Sequence, residues 1–251
     1  MIPKIIHYCW LSDDPVPADL QHYMESWKKY LPDYEFIHWS FKNFDKSSSM
    51  WVSQAFDSKK YAFAADYIRL YALYNYGGFY LDMDVEILKP YAELLNLGTV
   101  LGYENSTDGR LEVAAFGVEK GSKWVKACLD YYDSKNFIND NGSFNTKVLP
   151  LVIRDVLAES GFKCLPVKNY SEALSIREEK VIPVFPFDYF SPKSHGTGNI
   201  QSSKNTYSIH HFAGSWFPWY TKWEKAICEA LGIRFRFVIE RHIINRFKHS
   251  K

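Results

Sequence analysis

The sequence predicts an α/β protein, one domain over residues 1–251 on a central, mostly parallel sheet. Three observations carry that expectation. The chain opens as strand, helix, strand over residues 4–8, 18–30 and 34–39, and such a βαβ unit pairs its strands in parallel through a crossover helix. A second helix, over 57–76, runs through Gly77-Gly78 into another apolar strand. Finally, 251 residues with no internal repeat, low-complexity tract or linker suit one sizeable core.

Each element has its own pattern. Leu20, Tyr23, Met24 and Trp27 form the apolar stripe of the first helix, which Leu31-Pro32 closes. The loop before it, with Asp13, Asp14, Pro15 and Pro17, follows a strand, which is where open α/β sheets bind ligands. Tyr67, Leu70, Tyr71 and Tyr74 mark one face of the second helix, and Ala62, Ala64 and Ala65 favour it. Over 77–87 strict alternation puts Phe79, Leu81, Met83, Val85 and Ile87 on one face of a strand and Tyr80, Asp82, Asp84 and Glu86 on the other. Strands are expected over 99–103 and 113–118 around a polar loop, and helices over 122–132 and 148–160 around an Asn-Asp-Asn-Gly turn. Pro183 and Pro186 make 181–187 an edge or irregular segment. A Gly/Ser/Pro/Asn loop at 191–203, long enough for a lid or for disorder, precedes a last strand over 206–212 and a Trp-rich turn. Residues 221–251 read as mostly helical.

Composition narrows the partners. A net charge of +1 excludes a global electrostatic footprint for nucleic acid. Charge is nevertheless uneven: from Ala230 onward six basic residues (Arg234, Arg236, Arg241, Arg246, Lys248, Lys251) oppose Glu240 alone, about +5. Mixed with Phe235, Phe237, Ile239, Ile243 and Phe247, they fit either a helix packed on the core or an interfacial helix touching an anionic membrane from its inner face. Aromatic residues make up 18%; most serve the core, but flat rings also stack on sugars and bases. Cys9, Cys128, Cys164 and Cys228 form no close pair, and there is no secretory pattern or apolar span. The expected setting is the cytoplasm.

Three constellations carry chemistry. Asp82 and Asp84, two apart on an extended segment, can share one hard cation such as Mg²⁺ or Mn²⁺, or form a solvated acidic face. Asp66 and Arg69, at i and i+3, can pair with each other or hold sugar hydroxyls and phosphate. His210 and His211 point to opposite sides of a strand, so only one can join a given site, unless both are structural.

The ordered set Ile2-Pro3-Lys4-Ile5-Ile6-His7-Tyr8-Cys9-Trp10, Ala65-Asp66-Tyr67-Ile68-Arg69-Leu70-Tyr71, Gly77-Gly78-Phe79-Tyr80-Leu81-Asp82-Met83-Asp84 and His210-His211-Phe212-Ala213-Gly214-Ser215-Trp216 resembles glycosyltransferase family 32. These sugar-transferring proteins with a DXD motif include bacterial capsular-polysaccharide enzymes and yeast Och1-like mannosyltransferases, with the large glucosylating toxins as distant relatives. The resemblance covers the start, the central third and the end of the chain, and is weak over 104–205. It implies a GT-A fold and a retaining, metal-dependent transferase that moves a hexose from a nucleotide sugar, a UDP-sugar, with Mn²⁺ or Mg²⁺, to a surface-glycan acceptor such as a capsular or lipid-linked oligosaccharide. It further implies that Asp84 binds the metal directly, Asp82 meets ribose, sugar or metal, and His211 completes the metal shell as the histidine of an H-x-x-G element. Trp10 would stack on the base, Asp66 and Arg69 would bind donor sugar and diphosphate, and Ser215 and Trp216 would close over the diphosphate. The toxins carry an acid where this chain has His211, so their metal preference does not transfer.

Retention is compatible with front-face attack or a covalent intermediate, and the sequence singles out no nucleophile. Two rival readings remain. A haloacid-dehalogenase-like phosphatase also uses Asp-x-Asp at a strand end, but near its first strand and followed by Thr. A non-catalytic carbohydrate-binding protein would explain the aromatic content alone.

Overall fold

The structure, a computed structural model, describes residues 1–214 and 219–231. It opens as β1 (Ile5–Cys9), α1 (Ala18–Tyr30) and β2 (Glu35–Trp39), with β1 and β2 parallel from Ile5–Glu35 to Cys9–Trp39. α1 buries Leu20 and Trp27 of its stripe, and the Trp27 indole N–H donates to the Val85 carbonyl at 2.7 Å. The helix expected over 57–76 starts four residues later, as α3 (Tyr61–Tyr76), and a further helix that was not expected, α2 (Met50–Asp57), precedes it. Between them Lys59 is left-handed, φ 58°, which interrupts the helix, and Ser49 caps α2 by accepting the Val52 N–H. α3 leaves through Gly77 and Gly78, at φ 68° and 101°, into β3 (Gly78–Leu81). A Cβ on Gly78 would sit 2.6 Å from the Ile5 carbonyl oxygen, so glycine is what lets β3 lie against β1.

The expected single strand over 77–87 is broken in two. After Leu81 a turn closes with Val85 N–H donating to the Asp82 carbonyl at 3.0 Å, and β4 (Val85–Ile87) departs for a second, two-stranded sheet. Alternation of apolar and polar residues continues across this turn, so it gave no sign of the break.

The remaining elements are β5 (Thr99–Tyr103), β6 (Leu111–Val118), α4 (Lys123–Asp133), α5 (Leu149–Glu159), β7 (Lys163–Pro166), α6 (Tyr170–Ser175), β8 (Val181–Phe185), β9 (Ser208–His210) and α7 (Trp219–Ala230). The seven-stranded sheet has the order β2-β1-β3-β6-β5-β8-β7, in which β6 alone runs antiparallel to its neighbours. The expected α/β fold with a mostly parallel sheet is therefore present. β8, expected as an edge or irregular segment because of its prolines, is a regular strand that lies inside, between β5 and β7. The Val184 carbonyl accepts from Val167 beyond β7, so alternation turns Pro183 toward β5, whose pairing with β8 starts only at Leu101–Val184. The missing N–H thus falls just outside the ladder.

Helices cover both faces. α2 to α5 pack over Tyr80, Leu101, Phe116 and Val118, while α1 packs over Phe79, Leu81 and Val100. Because α1 and the α2–α3 pair cross on opposite faces, strand order reverses at β1. The crevice this opens lies at the carboxyl ends of β1 and β3.

His7 pins that region from below. Its Nε2–H donates to the Gly77 carbonyl at 2.8 Å and its Nδ1 accepts the Trp39 indole N–H at 3.0 Å, so the neutral ring is fully used. Burial drives its pKa down to about 4, outweighing the Gly77 bond. The unfolded chain therefore binds a proton that the folded one refuses between pH 6.5 and 4, and stability falls with pH through that window. Lowering pH from 7 to 4 should shrink the stability difference between wild type and His7→Gln by about 3 kcal/mol, measured by urea unfolding.

Candidate active site

Trp10 and Asp82 stand at the carboxyl ends of two adjacent parallel strands, β1 and β3. The half-buried Trp10 is held by its indole N–H on the Asp14 carbonyl, 2.8 Å, and by its backbone N–H on Trp39. Asp82 extends the β3–β6 pairing by one bond, N–H to the Ala114 carbonyl at 2.8 Å, before the chain turns away. Its Oδ1 accepts the Tyr80 hydroxyl at 3.0 Å and lies 3.5 Å from Arg69 Nη2.

Arg69 is buried behind this carboxylate. Nη2 is 3.2 Å from Asp66 Oδ1, Nη1 donates to the Val113 carbonyl at 2.8 Å, and the guanidinium lies 4.4 Å over the Tyr80 ring. One cation thus serves two acids, the buried Asp66 and the half-buried Asp82. Burial still lifts Asp66 to about 6 and raises Asp82, with Arg69 opposing both shifts.

Asp84 belongs to the turn, and its place is set by the second sheet. β4 pairs antiparallel with β9, Val85 opposite His210. The Asp84 carbonyl accepts His211 N–H at 3.0 Å, and its Oδ2 accepts Ala213 N–H at 2.7 Å. His210 Nε2 then comes within 3.7 Å of Asp84 Oδ1, and one ligand atom from each of Asp82, Asp84 and His210 falls within 4.8 Å of the others. On the far side, His210 Nδ1 is 3.2 Å from Glu112 Oε2, while Glu112 Oε1 accepts Ala114 N–H at 2.6 Å.

The structure brings His210, not His211, to the aspartates. His211 Nε2 bonds Glu86 Oε2 at 2.9 Å and its ring stacks on Tyr23, centroids 4.2 Å apart. Neighbouring residues of a strand project to opposite sides, and the β4–β9 register assigns the inner side to His210. Counting back from Gly214 in an H-x-x-G element selects His211, but such counting carries no register.

Glu112, only 1% exposed, was not singled out from the sequence. The available sign was a lone acid inside the apolar run Leu111-Glu112-Val113-Ala114-Ala115-Phe116. With Glu112 accepting the Nδ1–H hydrogen bond, Nε2 is left to face the carboxylates, the arrangement by which a second carboxylate orients an imidazole ligand. Two carboxylates and one imidazole fit a Mn²⁺- or Mg²⁺-sized cation with positions to spare. Burial alone would lower the His210 pKa, but Glu112 and Asp84 outweigh it and raise it to about 9. Without a metal, His210 is therefore the cation that balances the aspartates. Glu104, at the end of β5, is lifted to about 7 by burial and by Glu112.

Phe212 closes this corner with an unusual left-handed φ of 53°. Its ring centroid is 3.9 Å from that of His210 and 5.0 Å from that of His195, on the 191–203 loop, and its carbonyl accepts from Lys225 of α7. Ser215 and Trp216 lie outside the described residues, as do residues 232–251 of the basic segment.

Known families and proteins resemble this chain at the same motif. The family described as "Glycosyltransferase sugar-binding region containing DXD motif" matches residues 17–101. Inositol phosphoceramide mannosyltransferase 3 of Schizosaccharomyces pombe is 38% identical over 88 residues, 34% of this chain and 24% of that protein. Mannosyl phosphorylinositol ceramide synthase SUR1 of Saccharomyces cerevisiae is 32% identical over 151 residues, 55% of this chain and 37% of that protein. The chain thus spans well under half the length of these relatives. Among solved structures, PaToxG glycosyltransferase superposes with a TM-score of 0.46 at 18% identity, over 63% of this chain and 70% of that one. The matched segment contains Asp66, Arg69, Asp82 and Asp84, whereas Glu112 and His210 lie beyond it. Over residues 17–101 this chain is similar to the glycosyltransferase sugar-binding region that contains the DXD motif.

Proposed function

We propose that the chain is a single-domain, metal-dependent, retaining glycosyltransferase of GT-A type that moves a hexose from a nucleotide sugar to a glycan acceptor. The convergence of Asp82, Asp84 and His210 in front of buried Arg69, at the carboxyl edge of the sheet, supports this most strongly. Asp84 and His210 would hold the cation, with Asp82 shared between it and the ribose or sugar hydroxyls. The cation supplies Lewis-acid stabilisation of the diphosphate. Arg69 adds a fixed positive charge behind Asp82, opposes the upward shift that burial gives that carboxylate, and orients it. Trp10 offers a ring for the base, and Ser215 with Trp216 would cover the diphosphate.

The hexose is suggested by relatives named as mannosyltransferases, and a lipid-borne acceptor by the ceramide in those names. For the donor we keep the UDP-sugar that the family resemblance implies, and for the acceptor a capsular or lipid-linked oligosaccharide. Thermal unfolding with Mn²⁺ and a panel of UDP- and GDP-sugars tests the reading. One donor at 100 times its Kd should raise Tm by about 5 °C or more, and only with metal present. No shift from any nucleotide diphosphate with Mn²⁺ or Mg²⁺ would refute the reading.

A further inference from the structure

α7 is laid down inside out. Its outward face carries Trp223, Ala226, Ile227, Ala230 and, one residue beyond, Leu231, the i, i+3, i+4, i+7, i+8 positions of a single helical stripe. Trp223 is 67% exposed, Ile227 54% and Leu231 66%. Its inward side instead buries Thr221, Glu224 and Lys225 with Cys228. A surface helix ordinarily shows water the reverse pattern, and a contiguous apolar stripe held outward marks a contact surface.

The inward face explains the orientation. Lys225 donates to the carbonyl of left-handed Phe212, whose ring lies against His210. α7 therefore turns its polar side to the turn that follows β9 and has no freedom to bury its apolar one. The chain beyond it settles which partner the exposed stripe fits. Residues 232–251 hold six basic side chains against Glu240, about +5, so the sequence that follows the apolar stripe is strongly basic. Apolar anchors, a tryptophan and adjoining arginines and lysines are the chemistry of an anionic lipid surface.

We propose that α7 docks this protein on an anionic bilayer through Trp223, Ile227 and Leu231, with the aspartate–histidine site directly behind the docked helix. Among the described residues no helix is long and apolar enough to cross a membrane, so the contact is one-sided. It does not depend on the transferase reading, because binding needs neither donor nor metal.

The test is sedimentation of the full chain with vesicles of phosphatidylcholine containing 30% phosphatidylglycerol, about the anionic content that makes charge attraction measurable, and with pure phosphatidylcholine. The anionic vesicles should retain the protein, the neutral ones much less. The triple variant Trp223→Ser, Ile227→Ser, Leu231→Ser should lose at least tenfold in partitioning, with unchanged Tm and unchanged monomeric mass. Absence of binding, or equal binding by the triple variant, overturns the proposal. So does a wild-type dimer that the triple variant converts to monomer without vesicle binding, which would make a second copy the occupant. A fall in Tm of several degrees in the triple variant with no vesicle binding would assign the stripe to the chain's own C-terminal residues and overturn it equally.

Discussion

Asp84→Asn should abolish turnover, lowering kcat/KM by about 10³-fold or more, on the order of 4 kcal/mol of transition-state stabilisation. It should do so without unfolding the protein. The Asp84 carboxylate has two tasks, one oxygen accepting Ala213 N–H at 2.7 Å and the other facing His210 Nε2 at 3.7 Å. An asparagine keeps an oxygen for Ala213 and so preserves the join between the turn and the residues after β9. It loses the charge a divalent cation requires. Tm without ligand should therefore change little, while the extra stability conferred by Mn²⁺ plus nucleotide disappears. An Asp84→Asn protein that keeps both its metal-dependent stabilisation and its donor hydrolysis would remove Asp84 from the site.

Arg69→Met carries the second large effect, and its main readout is stability. Arg69 is the shared partner of two acids, the buried Asp66 at 3.2 Å and the half-buried Asp82 at 3.5 Å, and it also satisfies the Val113 carbonyl. Removing one member of such a cluster leaves uncompensated charge, which costs about 3–5 kcal/mol. The pH dependence distinguishes this from a simple packing loss. Asp66 is already raised to about 6 by burial in spite of Arg69, so the folded state takes up a proton that the unfolded chain does not hold at the same pH. The stability associated with that proton is present at low pH and is lost as pH rises through about 6. Without the arginine both carboxyls rise further, so the window moves upward. Urea unfolding should show the variant least impaired near pH 5 and most impaired near pH 8. A deficit independent of pH would mean that the guanidinium acts only by filling space.

Much of the fold could be read from the sequence because local chemistry and tertiary placement agree there. The opening strand, helix and strand have clean periods, and the residues that close α3, Gly77 and Gly78, are demanded by the backbone itself. What was hidden depends on pairing at a distance. The turn at Asp82 to Asp84 leaves the apolar alternation intact, and only the separate β4–β9 sheet shows that a second element begins at Val85. Pro183 suggested an edge, yet one missing N–H is harmless where the neighbouring ladder has not started. The corner that holds the aspartates and His210 divides in the same way. Asp66, Arg69, Asp82 and Asp84 lie within one stretch of chain and can be grouped by spacing. The choice between His210 and His211 is a register, and Glu112 acts only through His210, so neither could be seen in a list of motifs.

That register is the central claim, and Mn²⁺ binding tests it most directly. Free Mn²⁺ can be counted by its paramagnetic resonance during titration of the wild type, His210→Ala and His211→Ala in the presence of UDP. A site built from Asp82, Asp84 and His210 predicts that His210→Ala weakens Mn²⁺ at least tenfold, a loss of about 1.4 kcal/mol. The same site predicts that His211→Ala, which removes the Glu86 and Tyr23 contacts, leaves the affinity within about twofold, under 0.5 kcal/mol. The opposite ranking, with His211→Ala losing the metal and His210→Ala keeping it, would contradict the arrangement described.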